Sequence, residues 1–326
     1  MSRQGAVTEE SQERNSGMKG LELSEQYYSR YGKPMLEREF PQLKDRVAAG
    51  LVGMGSECFG FDDEFSADHD YGPSFCLWLT EQDYQVYGQA LQEAYNRLPG
   101  EFMGVPGRFV TAQGEGRVGV LSIRRFYRDL LGVELPEPEE TPLSEADWLR
   151  MPEEALATAT NGRVFEDPLG VFSARRTQLL SYYPDSVWKK KLAQCAALMA
   201  QSGQYNYGRA MRRGEYIAAE LALSEFIRQS MAMVYLLNRR YAPFYKWMHR
   251  GMKELTVLSE VGDMLMLLTD VTDSKQKWQA SETDGKTLII EAVCQVIVQE
   301  LLKEGLTYSQ DSYMEVHAYR ILETIS

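Results

Sequence analysis

The chain has 326 residues, 44% hydrophobic and 25% charged, with a formal net charge of −12. That is enough apolar material for two domains of ordinary globular composition. No apolar run of about 18 residues occurs, which argues against a membrane-spanning helix, and the acidic balance disfavours general nucleic-acid binding, where phosphate neutralisation dominates.

Residues 1–20 are mostly polar and lack the apolar stretch of a signal peptide, so a flexible tail on a cytoplasmic protein is expected. Residues 22–50 carry helical periodicity in two pieces broken at Phe40-Pro41, the second with Leu43, Val47 and Leu51 on its apolar side. A short apolar segment from Gly50 to Met54 leads to Gly55-Ser56, a loop from Glu57 to Ala67, and an extended segment from Asp68 to Leu79. Thr80 to Asp83 resembles a capping box and predicts a helix to about Arg97. Residues 108–121 read as a hairpin around Gly114-Glu115-Gly116, and Ser122 to Leu131 as a helix.

The acidic, proline-rich stretch VELPEPEETP at 133–142 suits neither helix nor central strand and serves as the linker. It divides the chain into a domain at 21–140 and a second at 141–326. Ser144 to Asp147 is another capping-box pattern. Beyond residue 168 nearly every segment is helical in period, with helices expected at about 185–202, 214–239, 287–304 and 312–324. The expected fold is α/β (α+β) with a small mixed sheet, followed by an α-helical bundle.

Cys58, Cys76, Cys195 and Cys294 form no C-x-x-C pair and are expected to be reduced, buried thiols. The three histidines, His69, His249 and His317, nearly exclude a multi-histidine metal site. The methionine-rich run Met248 to Met266 reads as core packing.

The chemistry-bearing stretch is Gly53-Met-Gly55-Ser56, then Asp62-Asp63 and Asp68-His69-Asp70. On an extended segment Asp68 and Asp70 share one face. Two adjacent carboxylates repel unless a cation lies between them, and magnesium takes one or two carboxylates plus phosphate oxygens. Gly55 permits close backbone approach and Ser56 offers a hydroxyl and an N–H to a phosphate oxygen. His69 points to the opposite face and reads as structural. Asp62 and Asp63 shape the loop or reach the metal.

This pattern resembles the signature of the nucleotidyltransferase superfamily with the polymerase-beta-like fold, in which a Gly-Ser turn is followed by an Asp-x-Asp pair on the next strand. The wider wording from Ala49 to Phe75 is similar to one bacterial branch of that superfamily without an assigned activity. Asp147-Trp148-Leu149, Asn161 to Phe165, Tyr182 to Asp185 and Leu237 to Trp247 also match that branch. The likeness to aminoglycoside and lincosamide nucleotidyltransferases is limited to the core motif and to a catalytic domain followed by a helical bundle.

The resemblance implies transfer of a nucleoside monophosphate, with ATP as the default donor, to a hydroxyl of an unidentified acceptor. Asp68 and Asp70 would hold Mg2+ (or Mn2+), and Gly55 and Ser56 would cradle the phosphates. It also implies a third carboxylate from a later strand, yet the candidate strand from Arg117 to Ile123 holds no acid, only Ser122. Glu115, Glu166 and Asp167 are substitutes. Glu166 is the candidate general base, although Glu166-Asp167 also reads as a helix cap before Pro168.

Among the basic residues of the later half, Arg176, Arg209 and Lys246 are the candidate phosphate ligands, against the reading of solvated helix faces. Tyr205, Asn206, Asn238 and Tyr241 are candidates for an acceptor pocket, or equally core residues with satisfied polar groups. Two further classes stay open: a catalytically degenerate nucleotide-binding regulator, and a nucleic-acid 3′-end transferase, which the net charge disfavours. A monomer or homodimer is expected.

Overall fold

The computed structural model describes residues 18–63, 71–108, 116–136, 142–271 and 285–325. It is mixed α/β, and its chain divides into two units at Ser181/Tyr182. The division expected at 140/141 falls inside the first unit. The physical reason is a strand the sequence reading left out: Arg163–Glu166 pairs with the sheet and carries residues 142–181 along with it.

The first unit opens with α1 (Gly20–Tyr27), a π-helical turn (Tyr28–Gly32) and α2 (Lys33–Glu39). The second helical piece expected after Phe40 is instead a turn leading into strand β1 (Ala48–Leu51), every residue of which is buried. Leu43, Val47 and Leu51 are indeed core residues, but sheet pairing overrides their helical spacing. Next come β2 (Cys76–Leu79), α3 (Glu81–Asn96), the short hairpin β3 (Glu101–Phe102) and β4 (Val105–Pro106), then β5 (Gly119–Ser122) and α4 (Ile123–Leu131). The unit closes with α5 (Glu145–Arg150), α6 (Glu153–Thr160), β6 (Arg163–Glu166) and α7 (Val171–Leu180).

The predicted caps are in place. The Thr80 hydroxyl accepts the Asp83 N–H at 3.2 Å, and Ser144 and Asp147 form a reciprocal capping box at the start of α5. The hairpin is β3–β4, upstream of the stretch expected to hold it, and residues 109–115 lie outside the described residues.

The four-stranded sheet has the order β5-β2-β1-β6, with β2 parallel to β5 and β1 antiparallel to both β2 and β6. Alternation along β2 sends Leu77 and Leu79 to one face and Trp78 to the other. The first face packs with Ala49, Val120, Leu91, Tyr28, Met35 and Leu36. On the second, Trp78 stacks on Phe172 of α7 at 4.0 Å and meets Phe126 of α4 edge-on. Helices therefore cover both faces of the sheet.

The second unit is helical: α8 (Asp185–Met199), a π-helical segment (Ala200–Tyr207), α9 (Gly208–Arg213), α10 (Tyr216–Leu237), α11 (Tyr245–Met252), α12 (Val261–Asp270), α13 (Gly285–Lys303) and α14 (Met314–Glu323). Trp188 donates its indole N–H to the Leu236 carbonyl at 2.8 Å, tying α8 to α10. His317 is fully buried between Thr307 and the Asp311 carbonyl. Met248 and Met252 are core, whereas Met266 is half exposed, so the methionine run packs only in part. Among the described residues no helix is long and apolar enough to cross a membrane.

Gly203 marks a close helix approach: a Cβ there would lie 2.3 Å from Cδ2 of the buried Phe226 ring. Gly203→Ala is expected to destabilise the chain by about 1–3 kcal/mol, read as a lower denaturant midpoint at unchanged slope. The four cysteines are free and buried, and burial raises the thiol pKa of Cys58, Cys76 (to about 12) and Cys294. A disulfide-exchange thiol reagent should titrate none of them in the native protein and all four in denaturant. Rapid labelling of one native thiol would contradict this.

Candidate functional site

β1 runs out into a turn that only glycine builds easily. Gly53 and Gly55 have φ of 131° and 139°, values that a side chain disfavours. Met54 between them is half exposed, so the turn faces outward. The chain then closes into a single 3-10 turn (Glu57–Phe59), with the Ser56 carbonyl accepting the N–H groups of Phe59 and Phe61.

Asn161, just after α6, holds this turn from behind. Its side-chain oxygen accepts the Gly53 N–H at 2.9 Å, and its amide donates back to the Gly53 carbonyl at 2.8 Å. Arg176 on α7 donates to the carbonyls of Thr160 and Asn161 at 2.7 and 3.1 Å. Its Nε is buried with no hydrogen-bond partner among the described residues, and burial lowers its pKa. Arg176 thus reaches the turn through the backbone of Asn161, in the unit that carries Gly55 and Ser56.

Beneath the turn lies a buried group of charges. The Glu57 and Arg108 side chains, each 7% exposed, form an ion pair. The Glu57 carboxylate packs so tightly on Gly55 that a Cβ there would lie 2.5 Å from Oε2. Asp62 accepts the Gly20 N–H at 2.8 Å, which caps α1 from a distance, and its other oxygen faces the Lys19 ammonium at 3.5 Å with no hydrogen bond among the described residues. Among the same residues Arg108 Nε is buried without a hydrogen-bond partner. These charges share one region. Burial, then the Asp62 and Glu57 charges, raise the Tyr71 pKa. Burial, then Glu57, raise that of Cys58, with Arg108 opposing.

Asp68, His69 and Asp70 lie outside the described residues, as does Glu115. The sheet register still places their neighbours. Cys76, the first residue of β2, pairs with Gly50 of β1. The chain following Asp70 therefore enters β2 at the end of the sheet where β1 runs into the Gly53–Ser56 turn.

Glu166 does not share that end. It pairs with Ala49 near the start of β1, and its carboxylate accepts from Tyr28 and, at 2.7 Å, from Lys33. The general-base role considered for Glu166 is thus not supported by its position. Asp167 caps the turn into α7, accepting the N–H groups of Gly170 and Ser173. β5 carries no acid, and Ser122 is the N-cap of α4.

In the second unit, Tyr205 and Asn206 sit on the π-helical segment and Arg209 on α9. Arg209 stacks over the Tyr205 ring and donates to its hydroxyl. Asn206 and Arg209 line a hollow of about 410 Å³ with Gln201 and Glu225. Asn238 and Tyr241 are not among its lining residues. The Asn238 amide joins α10 to the loop at Thr256 and Val257 through hydrogen bonds of 2.8 to 3.1 Å. Tyr241 is buried and stacks on Tyr182 at 4.9 Å. Those two serve packing, the alternative the sequence left open. Lys246 is exposed and lies over the Trp247 ring.

Sequence reasoning missed Glu57, Arg108 and Asn161 as parts of the site. Glu57 follows the Gly-Ser pair directly, and Asn161 opened one of the matching fragments, so both had a signal. Arg108 had none, because its role depends on the fold bringing it to Glu57.

A family model described as Domain of unknown function (DUF4037) matches residues 148–248. The match includes Asn161 and Arg176, spans the division between the two units, and leaves out the Gly53–Ser56 turn. No curated protein and no solved structure matches the chain.

Removing one member of a buried ion pair strands the other charge, at a cost of about 3–5 kcal/mol. Arg108→Met should lower stability by that order in chemical denaturation, and Arg108→Met/Glu57→Gln should recover part of the loss. Two additive single effects would show that the pair is not coupled.

Proposed function

We propose that the chain is a metal-dependent nucleotidyltransferase that moves a nucleoside monophosphate, by default AMP from ATP, onto a hydroxyl of an acceptor. The supporting observation is topological. The outward turn with its two positive-φ glycines lies at the sheet end where the chain bearing Asp68 and Asp70 enters β2.

The backbone of Gly53 to Ser56 approaches the phosphates closely because no side chain stands in the way at Gly53 or Gly55. The Ser56 hydroxyl and N–H bind a phosphate oxygen. Asn161, backed by Arg176, holds the turn in shape before substrate arrives, so little ordering remains to be done on binding. Asp68 and Asp70 would hold a divalent magnesium or manganese ion, which when bound neutralises charge on the triphosphate. Carboxylate oxygens suit such an ion. The acceptor hydroxyl attacks the α-phosphorus in line and pyrophosphate leaves.

A second reading is a catalytically degenerate nucleotide-binding regulator. The observation favouring it is the acid-free β5, together with the placement of Glu166 at the other end of β1.

Pyrophosphate release separates the two. The full chain would be assayed with each of four nucleoside triphosphates and either metal, with cell extract supplying the acceptor. Metal-dependent release that disappears in Asp68→Asn/Asp70→Asn, and falls by about tenfold or more in Ser56→Ala, is the expected result. Nucleotide binding without release under every condition would reject the transferase and retain the regulator.

A further inference from the structure

The chain is acidic as a whole, with a net charge of −12, yet from Phe226 to Lys253 it carries six cations and no acid. Helix α11 (Tyr245–Met252) turns the later part of this stretch into a surface. Met248, Gly251 and Met252 are buried, and Lys246, Arg250 and Lys253 are exposed at positions i, i+4 and i+7 of the other side. That stripe is about 10 Å long. At its start Phe244 and Tyr245 are 43% and 68% exposed, with ring centroids 4.5 Å apart. Arg240 is exposed four residues before Phe244, within about 13 Å along the chain.

We propose that this face binds a single-stranded polynucleotide, with bases stacked on Phe244 and Tyr245 and phosphates on Arg240, Lys246 and Lys253. The proposal does not depend on the reading given to the Gly53–Ser56 turn.

Two observations carry it. The first is cationic charge without a committed counter-ion. Among the described residues Arg240, Lys246 and Lys253 form no ion pair, and Lys246 lies only over the ring of its neighbour Trp247. Arg239 is set apart from these, since it stacks on Trp188 and faces Asp185 at 3.9 Å. Asp185 is also held by Lys189 at 2.8 Å. Three acids border the face. Glu254 follows Lys253, and Glu260 and Asp263 flank Gly262, whose carbonyl oxygen lies 3.3 Å from His249 Nε2. The end with Arg240, the two rings and Lys246 is therefore the least opposed part.

The second observation is the exposed ring pair between the cations. Every base has a face to stack, and aromatic side chains flanked by cations are what unpaired strands bind. In a duplex those base faces are already covered. These exposed side chains present no buried polar group to read a base edge or a sugar hydroxyl, so RNA and DNA of one length should bind alike. An anionic membrane suits the face less well. An interfacial helix buries a whole apolar side in lipid, whereas the apolar side of α11 is already in the core and leaves only two rings to insert.

The test is fluorescence anisotropy of labelled 12-residue oligouridylate and oligothymidylate with the full chain, at low salt and with a chelator present. Both should bind. Three phosphate contacts predict a slope of about −2 for log K against log salt. Lys246→Gln/Lys253→Gln should weaken binding and flatten the slope to about −0.7. Tyr245→Ala should weaken binding about tenfold at unchanged slope, and Asp68→Asn/Asp70→Asn should bind like the parent. All three substituted side chains on this face are exposed, and these variants should melt like the parent. A duplex of equal length should bind more weakly than either single strand. No binding at low salt, equal binding of the duplex, or parental affinity and slope in the lysine and tyrosine variants would overturn the proposal. So would cosedimentation with phosphatidylserine vesicles in the absence of oligonucleotide binding, which would assign the face to a membrane.

Discussion

Two hydrogen bonds between one asparagine side chain and one glycine backbone hold the candidate site together. Asn161 accepts from and donates to Gly53, so it acts as a short piece of strand where the sheet has no strand left to pair. A turn built on glycines has the largest backbone entropy to lose on folding. The clamp opposes that loss by giving both polar groups of Gly53 a fixed partner. Arg176 in turn fixes Asn161 by its carbonyl, and the Gly162 N–H closes the assembly on the Cys58 carbonyl. A loop after α6 and a helix in the family-matched stretch thereby set the shape of a turn about 100 residues earlier in the chain.

The direction of β1 sorts the rest. Its carboxyl end carries the glycine turn, the Asn161 clamp and the buried Glu57–Arg108 pair. Its amino end lies beside Glu166 and the caps of α3 and α4. Arg175 and Arg176, neighbours in sequence, serve opposite ends of the sheet in consequence. Adjacent helix positions point about 100° apart, so one arginine reaches the Asn161 carbonyl while the other bonds to Pro136.

What could be read from the sequence was what depends on local chemistry. Thr80 and Ser144 announced their helices because a capping side chain acts within three residues. The glycine turn was legible because few other residues tolerate its backbone. Strand β6 was not: Arg-Val-Phe-Glu is short, edge-placed and only partly buried, so it lacks both an apolar run and a clean alternation. The helical reading of Leu43 to Leu51 failed because the spacing of buried residues is the same whether a turn and strand or a helix delivers them. Within the candidate site, Gly55 belongs to the glycine turn that follows β1. Glu166 pairs toward the other end of β1, and strand direction, which no residue encodes locally, decides which end of a sheet a side chain occupies. The roles of Asn238 and Tyr241 were equally undecidable, because a hydrogen-bonding or aromatic side chain looks the same in a pocket and in a core.

The π-helical segment from Ala200 to Tyr207 carries a consequence for how this chain tolerates change in length. A π tract is in effect an α-helix holding an extra residue. Deleting one residue there would let the tract relax to ordinary geometry while the helix beyond it keeps close to its present phase. The same deletion within the regular turns of α8 would rotate everything beyond it by about 100° about the helix axis, which would move Gln204 off its partners Glu291 and Ser312. The tract is therefore the place between α8 and α9 where the loss of a single residue disturbs the second unit least.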